Sequence, residues 1–453
     1  MNSELPENKR PVTWLLSNVC GWLRLTLKNL DQITKVEAVQ VKMALEFSSS
    51  MKAPPVDEDA NMQVTKVKGQ SPGLDTEQDK SKADVEEELS HSTQDPSPFS
   101  TNRQKSFLQV PPKTYGEIHI HSVLQCSCEV MTCQFSEDGT LLAVGLNDGS
   151  IKVYSTDEGE LLHTLSDKDS VLCSLPVTSL SFTHTNETHS VLLATYASGS
   201  LKCWYIWGRQ CVWWVTETEN GKNEGEQKRQ SLCLSISPSG ENAVTGGSDS
   251  DIYLYDLNTH QRIQILKSSS TRITMDGHSS RVFALKFHPE RETEFISGGW
   301  DNSVQFWDTR QHNAVRMLYG PHVCGDALQI DPSTNQILSG SWRKDSTLEV
   351  WDYSSGIKVT DVPPDPHGDS MMYTCKWMGG DIVAAGGHAN ALRVLDRHSL
   401  SVKARLFDLP YAVYSSSICP SGKWAGLIAA TCGDQVFLLS MDHRKKNTAE
   451  KIS

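Results

Sequence analysis

The sequence predicts an all-β fold, a seven-bladed β-propeller preceded by a largely disordered N-terminal extension. Three observations predict it. One supersecondary pattern returns seven times between residues 131 and 440, at a spacing of roughly forty to fifty residues, the range of blade-building repeats. The segments inside each copy have the length and alternation of strands. Residues 1–112 lack that rhythm, and from Ser48 to Pro112 they hold too few large apolar residues to offset chain entropy.

Each copy opens with an alternating apolar strand and a turn such as Ser-Pro-Ser-Gly or Ser-Glu-Asp-Gly. A small-residue strand follows, then a tight Asp- or Asn-rich turn, a β-branched strand ending in an aromatic–Asp pair, and a fourth strand. The copies are residues 131–155 with Leu161–Leu165, then 177–206, 232–257, 282–309, 326–353, 373–397 and 413–440. Asp138-Gly139 and Asp148-Gly149, set between apolar runs, read as hairpin turns. A single four-stranded sheet exposes two flat faces, and a radial array buries them against neighbours. The seventh copy has no fourth strand after Leu439, where a polar tail (442–453) approaches. An orphan strand, residues 117–124 (EIHIHSVL), precedes the first copy. It is expected to complete the seventh sheet and close a propeller spanning 113–441.

The extension divides in two. In residues 1–47, Leu16, Val19, Leu23, Leu27 and Leu30 recur at helical spacing, as in a short amphipathic helix between residues 14 and 33. Val39, Val41, Met43, Leu45 and Phe47 alternate instead, and Gly21 weakens the helix, so marginal structure is expected. Lys9-Arg10 precede an apolar stretch, but Asn18, Arg24 and Lys28 interrupt it and no small-residue cleavage site follows, which disfavours an export signal. Residues 48–112 read as a disordered linker, with Pro54-Pro55 and the acidic run Asp84 to Glu88.

Composition narrows the function. The 453 residues carry a formal charge of −13, which disfavours non-specific nucleic-acid binding. No stretch approaches the about eighteen apolar residues that span a bilayer. Twelve cysteines are scattered, and Cys133, Cys203, Cys233, Cys375 and Cys419 sit in strand-like contexts. They read as reduced thiols of an intracellular protein, cytoplasmic or nuclear. Cys126, Cys128 and Cys133 form the one close group, but their spacing lacks paired knuckles and His partners, so no metal site is expected. No P-loop, H-E-x-x-H or G-x-S-x-G is present.

The fourth copy resembles a WD40 repeat, with Gly277-His278, Ser297-Gly298-Gly299, Asp301 and Trp307-Asp308. The fifth is similar, with Pro321-His322, Ser339-Gly340-Ser341, Asp345 and Trp351-Asp352. The third keeps Asp249 and Tyr255-Asp256, and the other four keep the strand rhythm alone. The resemblance covers about residues 115–440. It implies a buried hydrogen-bond network of His278, Ser297, Asp301 and Trp307, repeated by His322, Ser339, Asp345 and Trp351. A Ser, a His and an Asp also suggest a hydrolase triad. Recurrence in register argues for the structural network.

In WD40 repeats the turn between the second and third strands opens on the rim around the channel. The resemblance therefore places Trp300, then Trp342, Arg343 and Lys344, then His388 and Asn390 on one rim. Trp and Arg are enriched at binding hot spots. For Trp300, binding and local packing weigh equally; for Arg343, binding is the better reading. Tyr205, Trp207, Trp213 and Trp214 are expected to fill blade-to-blade packing. The polar run from Glu217 to Gln230 is expected to be a mobile, solvated connector.

The expected function is a non-catalytic scaffold or adaptor that binds a peptide or folded partner on the rim, within a multi-subunit complex. No cofactor and no catalytic residue are expected. Two alternatives stand beside it. One is a substrate-recruiting subunit of a ubiquitin ligase or chromatin complex, by family analogy alone. The weaker one is a hydrolase framed by the propeller, for which the sequence offers no titratable cluster beyond the network.

Overall fold

The computed structural model describes residues 111–183, 191–217, 229–269, 275–368 and 370–442. The expected N-terminal helix, the linker up to residue 110 and the tail from residue 443 lie outside the described residues.

Two strands precede the first copy, β1 (Lys113–Gly116) and β2 (Ile118–Gln125). Blade one is β3 (Val130–Phe135), β4 (Leu141–Leu146), β5 (Ile151–Ser155) and β6 (Leu161–Leu165). A short helix, α1 (Lys168–Cys173), leads to blade two: β7 (Val177–Phe182), β8 (Val191–Tyr196), β9 (Ser200–Tyr205) and β10 (Gln210–Thr216). Blade three is β11 (Ser231–Ile236), β12 (Asn242–Gly247), β13 (Ile252–Asp256) and β14 (Gln261–Leu266). Blade four is β15 (Val282–Phe287), β16 (Glu294–Gly299), β17 (Ser303–Asp308) and β18 (Arg316–Tyr319). Blade five is β19 (Leu328–Asp331), β20 (Gln336–Gly340), β21 (Leu348–Asp352) and β22 (Lys358–Asp361). Blade six is β23 (Met371–Met378), β24 (Asp381–Gly387), β25 (Leu392–Asp396) and β26 (Val402–Phe407). Blade seven has β27 (Ser416–Ile418), β28 (Ile428–Cys432) and β29 (Gln435–Met441).

Strands within each sheet are antiparallel and follow chain order outward from the axis, except that β1 and β2 take the outermost places of blades six and seven. The burial pattern follows from that order. A second strand such as β4 (LLAVGL) is covered on both faces by neighbouring blades and is buried at all six positions. An outer strand such as β10 alternates between exposed and half-buried residues, because its edge meets solvent. Seven apolar clusters occupy the seven blade-to-blade interfaces. Between blades one and two, for example, Ala143 and Val153 meet Leu192 and Trp204. A fully buried side chain the size of Val153 or Leu192 contributes about 1.5–3 kcal/mol, an upper figure because the unfolded chain already buries some surface.

The ring closes through β2, which pairs with β29 from Ile118↔Met441 to Gln125↔Gln435. Its Ile118 enters the cluster between blades six and seven, and its Leu124 enters the one between seven and one. Both faces of blade seven thus depend on this strand. An unexpected strand precedes it: β1 adds to the outer edge of blade six, pairing Lys113↔Phe407 through Gly116↔Ala404. At Gly116, φ is +81° and a Cβ would lie 2.0 Å from the Lys403 carbonyl oxygen. Only glycine fits where the chain steps from blade six to blade seven.

Removing residues 1–116 is therefore expected to leave a cooperative thermal transition, because β2 remains. Removing residues 1–125 is expected to abolish that transition in calorimetry and to expose dye-binding apolar surface.

Candidate binding face

Antiparallel order puts the second-to-third turns, and the connections from each outer strand to the next inner strand, at one end of the ring. Blade four builds the full hydrogen-bond chain there. His278 Nδ1 lies 2.8 Å from Asp301 Oδ2, and its Nε2 lies 2.6 Å from Ser297 Oγ. The indole N–H of Trp307 donates to the same Oγ at 2.7 Å. With the carboxylate fixing the proton on Nδ1, Nε2 accepts from the Ser297 hydroxyl, whose oxygen accepts from the indole. Burial alone would raise the Asp301 carboxyl, but hydrogen bonds from His278, the Ser279 N–H and Ser303 hold it below the ordinary range. His278 and Ser297 are fully buried. The serine hydroxyl thus has no path to a substrate carbonyl.

Blade five departs from the expected copy. Trp351 donates to Ser339 Oγ at 3.0 Å, but His322 and Asp345 do not extend that bond into a chain. His322 Nδ1 instead meets Asn302 Oδ1 at 2.9 Å, and its ring stacks on Trp300. Asp345 is exposed. Its turn is two residues longer than that of blade four, and the extra length carries the carboxylate to solvent. Glu349 on β21 supplies a buried acid in its stead, 2.9 Å from Arg343 and 3.2 Å from Lys358. Burial raises the Glu349 carboxyl against the pull of these two cations. Burial, then the charge of Arg343, lowers His322, which favours the neutral imidazole.

Arg343 was expected to present a contact group. It also donates to the Gly320 carbonyl at 2.7 Å and to the Ser346 carbonyl at 3.2 Å. The guanidinium is a strut that holds the long turn, not a free arm. Lys344 and His388 are exposed. His388 and Asn390 both have positive φ, and Asn390 Nδ2 donates to the Leu409 carbonyl at 3.4 Å.

Trp300 and Trp342, from adjacent blades, come together in one cluster with Tyr373, Tyr414, Ala412 and Cys324. Trp342 packs on Tyr373 with ring centroids 4.4 Å apart, and Tyr373 meets Tyr414 edge-on at 5.1 Å. Trp300 lies against Phe283, with the Arg281 guanidinium over its ring at 5.4 Å. Both tryptophans remain half-buried, and the Trp300 indole N–H makes no hydrogen bond. Tyr373 and Tyr414 escaped the sequence reading because they begin an inner strand and end a connection, where they look like core.

Two other expectations are corrected. Glu217 and Arg229, the ends of the supposed solvated connector, are buried. Glu217 accepts from Ser231, Thr245 and the Tyr255 hydroxyl, while Arg229 Nε lies 3.3 Å from both Glu217 and Asp249. The pair satisfies in blade three the polar interior that His278 satisfies in blade four, and this outweighs the polarity of the surrounding run. Residues 218–228 between them lie outside the described residues. The second aromatic group also divides. Trp213 packs towards blade three, stacked on His260 at 4.9 Å. Tyr205, Trp207 and Trp214 are exposed: Tyr205 ends β9, Trp207 lies in the turn after it, and Trp214 is on the edge strand β10.

Ser297→Ala is expected to strand the His278 and Trp307 nitrogens and cost about 2–4 kcal/mol in chemical denaturation. Asp345→Ala is expected to stay within about 0.5 kcal/mol. Equal losses would contradict the asymmetry between blades four and five.

Comparison with known proteins agrees with this architecture. The family described as WD domain, G-beta repeat matches residues 225–256 and 269–308, and the Anaphase-promoting complex subunit 4 WD40 domain family matches residues 118–185. Cilia- and flagella-associated protein 52 of Chlamydomonas reinhardtii is 25% identical over 51% of this chain and 33% of its own length. The THO complex subunit 6 homolog of Danio rerio is 29% identical over 42% of this chain and 56% of its own. WD repeat-containing protein slp1 of Schizosaccharomyces pombe is 22% identical over 59% and 49%. The chain thus spans between a third and just over half of these relatives' lengths. A chain from the crystal structure of the mitotic checkpoint complex superposes with a TM-score of 0.58 at 18% identity, covering 78% of this chain and 98% of that one. The repeat signatures, the seven closed blades and these matches together make the chain a member of the WD40-repeat family.

Proposed function

We propose that this chain is a non-catalytic scaffold or adaptor that holds a peptide or folded protein on the rim of blades four to six. The observation that carries the reading is the half-buried aromatic cluster in which Trp300 and Trp342 meet from adjacent blades. Trp and Tyr supply large contact area for few rotatable bonds, and such anchors dominate binding energy when partly desolvated. Trp300, Trp342, Lys344 and His388 form the contact set, and Arg343 positions the turn that carries two of them. Buried Ser297 offers no support for the hydrolase reading.

Membership of a multi-subunit complex is part of the proposal. It is supported by two matches named for complexes, the THO complex subunit 6 homolog and the anaphase-promoting complex subunit 4 domain. The free thiols of the described residues, most of them buried, support a reducing, intracellular location.

The test is quantitative affinity purification of the full chain from cells, as wild type, Trp342→Ala and Trp207→Ala. Trp342→Ala is expected to lose specific co-purifying proteins by about tenfold or more while still unfolding in one cooperative transition. Trp207→Ala, on the outer wall, is expected to retain them. Loss with Trp207→Ala and retention with Trp342→Ala would refute the assignment.

A further inference from the structure

The inner strands enclose an axial cavity of about 690 Å³. At one rung of the inner ladder every blade places a polar side chain on its wall. Blades four and six contribute Lys286 and Lys376, which pair across their ladders with Ile296 and Val383. The equivalent rungs of the other blades hold Gln134, Ser181, Ser235, Gln329 and Ser417. No acidic residue occupies this rung.

The hydrogen bonds of the ring give it a direction. Ser235 Oγ accepts the Phe287 N–H at 3.0 Å, Ser417 Oγ accepts the Phe135 N–H at 3.1 Å, and Gln329 Oε1 accepts the Trp377 N–H at 2.6 Å. Each bond joins an inner strand to the next one around the ring. Each of these oxygens thereby uses one of its two acceptor sites, and the serine hydroxyl hydrogens and the Gln329 amide hydrogens remain as donors. Lys376 is held by Asp326, whose side chain is half-exposed. Lys286 has neither a hydrogen bond nor an ion pair among the described residues. Burial, and next the charge of Lys376, push its ammonium below the ordinary lysine range. Lys286 is half-buried, and Asp326, the acid that also holds Lys376, attracts it without a direct ion pair; sharing one carboxylate between two ammonium groups is costly. Asp326 and Glu137 also line the cavity, so the charge it offers an anion rests on Lys286; donors on several sides around that ammonium match an oxyanion with many acceptor atoms better than a carboxylate.

We propose that the axial cavity binds a phosphate-class oxyanion, with Lys286 as the main contact and Lys376, Gln329 and Ser235 as supporting donors. The site is separate from the rim and stands or falls independently of the proposed partner face. Free phosphate, a chain of condensed phosphates and a phosphomonoester share this chemistry, and the experiment separates them.

Calorimetric titration and thermal melting of the full chain at constant ionic strength test the proposal, using inorganic phosphate, tripolyphosphate, glycerol phosphate and acetate. At least one phosphate probe is expected to bind saturably and raise the melting midpoint, with acetate weaker by about tenfold or more. Lys286→Met is expected to melt no lower than wild type without phosphate, and to lose about tenfold or more in affinity for the same probe. Lys286→Gln, which keeps a polar side chain at this rung, is expected to behave alike, and Lys286→Arg is expected to retain binding. No saturable binding by any phosphate probe, equal binding of acetate, or unchanged affinity in both Lys286→Met and Lys286→Gln would overturn the assignment.

Discussion

Each blade of the propeller buries its two faces only against its neighbours, so the seven interface clusters form a chain of dependencies that must close on itself. The strand β2 makes that closure. It lies next to β29 across more than three hundred residues of sequence and fills apolar clusters on both sides of blade seven. Without it, β29 is an open edge and two clusters lose a wall. The addition of β1 to blade six extends the same clasp over a second blade. Such non-local pairing contributes little until most of the ring exists, which makes folding slow and cooperative in principle.

Inside that frame, polar groups have to cross a packed interior, and the blades meet the requirement differently. Blade four uses the His278–Ser297–Trp307 chain anchored by Asp301. Blade three uses Glu217 and Arg229, and blade two uses Lys202 with Asp167 at 2.6 Å beside a Trp204–Tyr196 bond. Blade five divides the task between Ser339–Trp351 and the Arg343–Glu349 pair. These arrangements are alternative solutions to burial. They explain how blades two and three keep the same backbone without the full set of signature residues. They also explain why serine, histidine and aspartate on one blade do not amount to a hydrolytic centre.

Much of the architecture is legible in the sequence because a repeated period is hard to mistake. The strand rhythm of 282–309 and the alternation of Ile118, Ile120 and Leu124 survive without any tertiary information. Other features depend on three-dimensional context. Asp345 reads as a network acid, yet two extra turn residues suffice to turn it to solvent. Glu217 and Arg229 sit in a polar run, and only their partners in blade three, Ser231, Thr245, Tyr255 and Asp249, account for their burial. Strand β1 is four exposed residues, KTYG, with no alternation to reveal it. Trp213 and Trp214 divide by the side of the edge strand β10 on which each falls. Of the aromatic cluster, Trp300 and Trp342 are legible from turn position, whereas Tyr373 and Tyr414 join them only through the meeting of blades five, six and seven. Lys286 is concealed too, because one polar residue in an apolar strand looks like ordinary alternation.

The proposed recognition surface lies on the turns of blades four to six, with no part for the outer wall. Hydrogen–deuterium exchange of the full chain, alone and in its purified native complex, addresses that claim most directly. Protection on complex formation is expected at residues 300–302, 342–346 and 388–390, with β10 and β18 unchanged. Protection confined to the outer strands, with these turns exchanging as in the free chain, would contradict it.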